Sequence, residues 1–185
     1  MYYLKKLMAE GTVGKTAELY HLTPAGKRFA DTLSLKTFQP RIQPKIVTLI
    51  ICTNAAGEYL LYRRSHEPFI NLVGFPYGKI HLGETVQGAA ERELKEKTGM
   101  STKLTHKGDA YITVYDHKEL VSQMLTHILV GKNPTGKLIT HSSIGECFWA
   151  NPSNFTKTEL LPANAELRKL ANGSQHFFRE FIVDL

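Results

Sequence analysis

Apolar and polar positions alternate along this chain in two distinct styles. In the first quarter the pattern is weak. Leu4, Leu7 and Met8 fall on one helical face of residues 4–10, and Gly11 is placed to stop that helix. Thr12–Thr16 and Leu19–Leu22 read as two short strands about a turn. Thr23 is a good N-cap and Pro24 suits the first position of a second helix, on which Phe29 and Leu33 lie four apart. Residues 34–45 hold Pro40 and Pro44 and little periodicity, so they read as a linker. From Ile46 the pattern strengthens. IVTLIIC is a continuous run of mostly β-branched residues, the signature of a strand buried on both faces. A turn at Asn54–Gly57 leads into EYLLYRR, which predicts a hairpin. Val86–Lys97 predicts a helix ended by Gly99. Strands are expected at Asp109–Tyr115, Leu120–Gly131 and Glu146–Ala150, a helix at Leu160–Ala171, and a last strand in FFREFIVDL. The division is therefore a small helix-hairpin-helix segment (1–33), a linker (34–45) and an α/β body (46–185).

Composition fits this division. The chain has 185 residues, 42% apolar and 22% charged, which suits one ordinary domain with a small appendage and excludes a disordered, collagen-like or coiled-coil chain. No apolar run approaches the roughly 18 residues of a membrane helix, the longest being Ile46–Cys52. No signal-peptide pattern opens the chain, and two cysteines in apolar segments give no disulfide framework, so the expected location is cytoplasmic, with no membrane partner.

Charge adds a second division. The formal net charge is +6, and residues 1–45 carry +5 of it. That asymmetry is compatible with an anion-binding arm, nucleic acid included, or with a merely solvated surface.

The densest chemistry lies in Gly78–Met100, GKIHLGETVQGAAERELKEKTGM. A loop with two glycines enters a helix crowded with carboxylates. Glu93 and Glu96 share one face, while Ala90 and Leu94 point elsewhere and can pack on a sheet. Carboxylates beside an irregular loop with free carbonyls suit a hard cation, and such a cation binds phosphates.

This segment resembles the Nudix box, G-x5-E-x7-R-E-U-x-E-E-x-G-U with U apolar. Gly78, Glu84, Arg92, Glu93, Leu94, Glu96, Gly99 and Met100 fall at the required spacings. GFPYGKIHLGE resembles the usual approach to the box, GECFWANPSNF the late strand, and LLPANAEL the start of the closing helix of MutT-type members. The resemblance implies an α/β/α sandwich with a mixed sheet. It implies a hydrolase that cleaves the pyrophosphate of a nucleoside diphosphate derivative using Mg²⁺ or Mn²⁺. By position, Glu93 and Glu96 would be metal ligands with one acting on water, and Arg92 would orient a box carboxylate. Glu84 would be a supporting ligand or would hold the loop, and the carbonyl near Tyr77–Gly78 would be a further ligand. Asn164 stands where some MutT-type members place a base-reading amide, and Tyr77 is a second substrate-binding candidate.

Three departures bear on activity. Lys97 replaces the second glutamate of the box pair, Tyr77 a usual glycine, and His81 a commonly acidic residue. They support an alternative: a catalytically impaired ligand sensor or transcriptional regulator acting through the basic arm. Residues 4–33 resemble the second half of a winged helix, with YHLTPAGKRF at the turn into its last helix. The partners expected are thus a nucleotide-like small molecule, DNA through residues 1–45, and a second copy of the chain in a homodimer. The eight histidines show no HxH or HxxxH spacing and no companion cysteine pair, so no zinc site is read from the sequence.

Overall fold

The computed structural model describes residues 2–34, 36–142 and 145–185. It divides into two compact units, Met1–Gln43 and Pro44–Leu185. In the first, helix α1 (Tyr2–Ala9) leads into the hairpin of β1 (Val13–Thr16) and β2 (Leu19–Leu22), followed by helix α2 (Pro24–Thr32). Thr23 caps α2 by accepting from the Gly26 N–H, and its hydroxyl donates to the Gly11 carbonyl at 2.6 Å. Gly26 is needed where α2 meets the hairpin, because a Cβ there would collide with the Thr12 carbonyl. The expected linker is partly folded back on this unit: Arg41 N–H donates to Thr32 O and Ser34 N–H to Gln39 O. Tyr2, Tyr3, Leu19, Phe29 and Phe38 are all exposed.

The second unit is built on a mixed sheet. Its elements in order are β3 (Lys45–Thr53), β4 (Tyr59–Arg64), β5 (Val73–Gly74), β6 (Tyr77–Lys79), α3 (Val86–Thr98), β7 (Met100–Ser101), β8 (Thr105–Asp116), β9 (Glu119–Lys132), β10 (Thr135–Gly136), β11 (His141–Ser142), β12 (Gly145–Ala150), a 3₁₀ turn (Pro152–Asn154), α4 (Asn164–Ala171) and β13 (Phe177–Asp184). The main path runs β11-β12-β4-β3-β9-β8-β13. The β3–β9 and β8–β13 pairs are parallel and the rest antiparallel.

The continuous apolar run of β3 is explained by cover on both faces. Leu49 and Ile51 pack with Leu167 and Ala171 of α4, while Ile50 and Cys52 pack with Ala90 and Leu94 of α3. The sheet thus lies between α3 and α4, an α/β/α arrangement. Burial pushes the Cys52 thiol up to about 12 and the Cys147 thiol up to about 11, as expected of core residues.

Two expectations are corrected. The β3–β4 hairpin is joined by one residue pair only, Thr53–Tyr59. Beyond it the strands splay, and β5 pairs with β4 while β6 pairs with β3 in the gap. The last helix starts at Asn164, not Leu160. Leu160 instead forms a parallel bridge with Val73, whose N–H donates to Glu159 O and whose carbonyl accepts from Leu161 N–H. No helix among the described residues is long and apolar enough to cross a membrane.

Candidate functional site

Helix α3 supplies the acidic residues. It begins at Thr85, whose side chain accepts from Gly88 N–H at 3.0 Å, and ends at Gly99 with φ +72°. Ala89, Ala90 and Leu94 are buried against the sheet, which leaves Arg92, Glu93, Glu96 and Lys97 toward β6 and the loop that follows it.

Arg92 is the hub. Its Nε donates to Glu84 Oε1 at 2.6 Å and Nη2 to Glu84 Oε2 at 2.9 Å, a two-point pairing. Nη1 donates to Glu93 at 2.8 Å and to Glu96 at 3.2 Å, and Nη2 also reaches the Lys79 carbonyl. The Arg92 guanidinium, helped by a bond from His81 N–H, holds the Glu84 carboxyl down to about 2. Glu93 is buried, Glu96 exposed. Gly78 makes room for the Glu93 carboxylate, since a Cβ at that position would collide with it.

Lys97 completes the group. Its Nζ lies 2.9 Å from Glu93 Oε2 and donates to the Tyr77 carbonyl. The ammonium also lies 5.4 Å from the centre of the Tyr77 ring. Glu93 therefore has one oxygen on Arg92 and the other on Lys97.

A cleft of about 410 Å³ opens beside this group. Lys45, Arg64, Lys79 and Lys97 line it with His66 and His81, against two carboxylates, Glu67 and Glu93. Arg64 is 7% exposed. It donates to the Tyr62 and Tyr77 hydroxyls and to the carbonyls of His66 and Glu67, all neutral acceptors. Among the described residues it has no carboxylate partner. Burial, then the charges of Lys79 and Arg64, lowers the Lys45 ammonium below its usual range, as crowding of like charge requires.

Comparison with known proteins shows the family and the fold. The NUDIX domain family model matches residues 43–178. The chain belongs to the NUDIX domain family. Among solved structures, the MutT protein of Bacillus halodurans superimposes with a TM-score of 0.63 at 20% identity, over 75% of this chain and 89% of that one. The NUDIX domain of Shewanella oneidensis NrtR, crystallised with ADP ribose, superimposes with a TM-score of 0.59 at 18% identity, over 81% and 97%. A relative from Methanocaldococcus jannaschii described as ADP-ribose pyrophosphatase is 29% identical over 93 residues, which span 48% of this chain and 54% of that protein. The chain thus matches about half the length of that relative.

Within the NUDIX domain, the expected metal-site residues Gly78, Glu84, Glu93 and Glu96 and the expected orienting residue Arg92 come together. NUDIX hydrolases generally use divalent cations, and the donor set here does not fit one. The Lys97 ammonium sits on Glu93 and takes the Tyr77 carbonyl, so a positive charge already stands among the groups a cation would need. Of the three glutamates, only Glu96 keeps an oxygen with no side-chain partner.

Asn164 lies elsewhere, at the head of α4. Its Oδ1 accepts from Phe75 N–H at 3.0 Å and its Nδ2 donates to Pro162 O at 3.2 Å. It borders an apolar slot of about 30 Å³ that shares Val47, Phe69 and Tyr77 with the cationic cleft. The sequence reading missed Lys45, Arg64 and Lys79. Their signal would have been basic residues at the ends of strands flanking the box, but strand pairing was needed to bring them together.

Proposed function

We propose that residues 44–185 bind a nucleoside diphosphate derivative through its phosphates without a divalent cation and without hydrolysing it. The observation that carries this reading is the Lys97 ammonium bonded to Glu93 and to the Tyr77 carbonyl. A positive charge is already built into the place where the family resemblance puts metal ligands. Arg64, buried without a carboxylate partner, and Lys45 and Lys79 beside it give a diphosphate several donors in one cleft. ADP-ribose is the first ligand to test, because the NrtR domain was crystallised with it and the curated relative is described by it. The basic charge of residues 1–45 supports an output on DNA, so the whole is read as a ligand sensor.

Thermal shift and calorimetric titration with ADP-ribose test the reading, in EDTA and in Mg²⁺ or Mn²⁺. The expected result is the same affinity in all three buffers and no release of AMP. A second reading, hydrolysis, is favoured by the intact Arg92–Glu84–Glu93–Glu96 assembly. Metal-dependent AMP release from ADP-ribose or another nucleoside diphosphate derivative would establish it and overturn the proposal.

A further inference from the structure

Away from the cleft lining, three histidines gather around one carboxylate where β8, β9 and the start of β13 meet. His106 Nε2 lies 2.8 Å from Asp109 Oδ1, and His127 Nδ1 lies 2.6 Å from the same oxygen. His176 Nε2 lies 3.9 Å from Asp109 Oδ2. The His106 and His176 rings meet edge to face with centres 5.0 Å apart. One ligand atom each from His106, Asp109 and His176 falls within 4.8 Å of the others.

The backbone builds this meeting. Residues three apart on a regular strand face opposite ways, so His106 and Asp109 should not share a face. The register of β8 on β9 shifts between His106 and Gly108. That bulge turns both side chains to one side. His127 stands directly opposite Asp109 on β9. Gly108 pairs with Phe177 of β13, and a Cβ at Gly108 would collide with the Phe177 carbonyl and ring. The missing side chain lets β13 approach, which brings His176, the residue before it, onto the cluster.

We infer that His106, Asp109 and His176 form a site for a borderline divalent transition metal, Zn²⁺ or a metal of similar preference. Two imidazoles and a carboxylate are a recognised three-ligand set for such an ion, leaving one position open. His127 holds the carboxylate from outside, as partners of metal ligands commonly do. A metal bound here would join β8 to the start of β13 and so fasten the last strand to the sheet.

The test uses the full chain stripped with EDTA and titrated with Zn²⁺ against a chromophoric chelator, with Co²⁺ absorption as a second readout. We expect one saturable equivalent, a visible Co²⁺ band and a rise in Tm on adding Zn²⁺. His176→Ala, at an exposed position, abolishes all three. His127→Ala weakens binding about 10- to 100-fold. His117→Ala, at an exposed histidine outside the cluster, changes nothing. Absence of saturable binding, or binding that survives both His106→Ala and His176→Ala, overturns the site. Neither result touches the ligand reading of the NUDIX cleft.

Discussion

Replacing Lys97 by glutamate tests the charge logic of the cleft directly. The Lys97–Glu93 pair is 2.9 Å apart, with side chains 24% and 7% exposed. At an effective dielectric of about 20, such a pair is worth about 6 kcal/mol before desolvation. Desolvation and the surviving Arg92 bond to Glu93 offset more than half, so removing the ammonium costs about 2–3 kcal/mol. For a folded unit of this size, 1 kcal/mol moves Tm by about 3 °C, so Lys97→Glu should melt about 6–9 °C below wild type in EDTA. The new carboxylate also adds repulsion against Glu93, which makes this a lower bound. It restores the donor set for a cation, however. At Mg²⁺ a hundredfold above its Kd, mass action returns about 2.7 kcal/mol. The assay is differential scanning fluorimetry of wild type, Lys97→Glu and Lys97→Met across a Mg²⁺ series. Wild type and Lys97→Met should show no Mg²⁺-dependent rise, and Lys97→Glu should recover most of its deficit. A Lys97→Glu protein that ignores Mg²⁺, or a wild type that gains as much from it, refutes the reasoning.

Three other outcomes are expected. Gly78→Ala drives a Cβ into the Glu93 carboxylate and should cost about 1–3 kcal/mol in chemical denaturation while weakening ADP-ribose binding. Asn164→Ala leaves the Phe75 N–H without its acceptor and should lower stability by about 1–3 kcal/mol, with unchanged affinity for inorganic phosphate in the cleft. Glu84 has its carboxyl lowered from 4.5 to about 2, so its pairing with Arg92 stabilises the fold fully above pH 4.5 and is lost as pH falls through about 2. Melting curves across that window should fall more steeply for wild type than for Glu84→Gln, and parallel curves would count against the pairing.

What the sequence disclosed follows from locality. Helix spacing alone puts Glu93 and Glu96 on one face, and the resemblance to the box implied that Arg92 orients a carboxylate there, whereas its two-point pairing with Glu84 depends on the shape of the loop before the helix. The C-terminal end of the helix was equally legible, because Gly99 acts on adjacent backbone. The alternation of β3 between two buried faces was legible in its apolar run. The partners of Lys97 were only half visible. Glu93, four residues away, follows from helix geometry, whereas the Tyr77 carbonyl depends on β6 entering the gap between β3 and β4. Nothing in GFPYGK states that β5 and β6 pair with different strands. The start of α4 was misplaced for the same reason, since the hydrogen bonds of Val73 hold Leu160 in a bridge rather than a helix. The histidine cluster escaped spacing rules because its members come from two strands and the residue before a third.

The ammonium at Lys97 differs from a dissociable ion in one thermodynamic respect. A free cation fills its locus only in proportion to its activity in the surrounding fluid. The charge on Lys97 is carried by the helix, so its local concentration is set by a four-carbon stem and does not fall on dilution. The cost of bringing it to Glu93 and the Tyr77 carbonyl is met once, during folding, and not again at each encounter with a ligand. Swings in cellular magnesium therefore leave the polarity of this corner of the cleft unchanged.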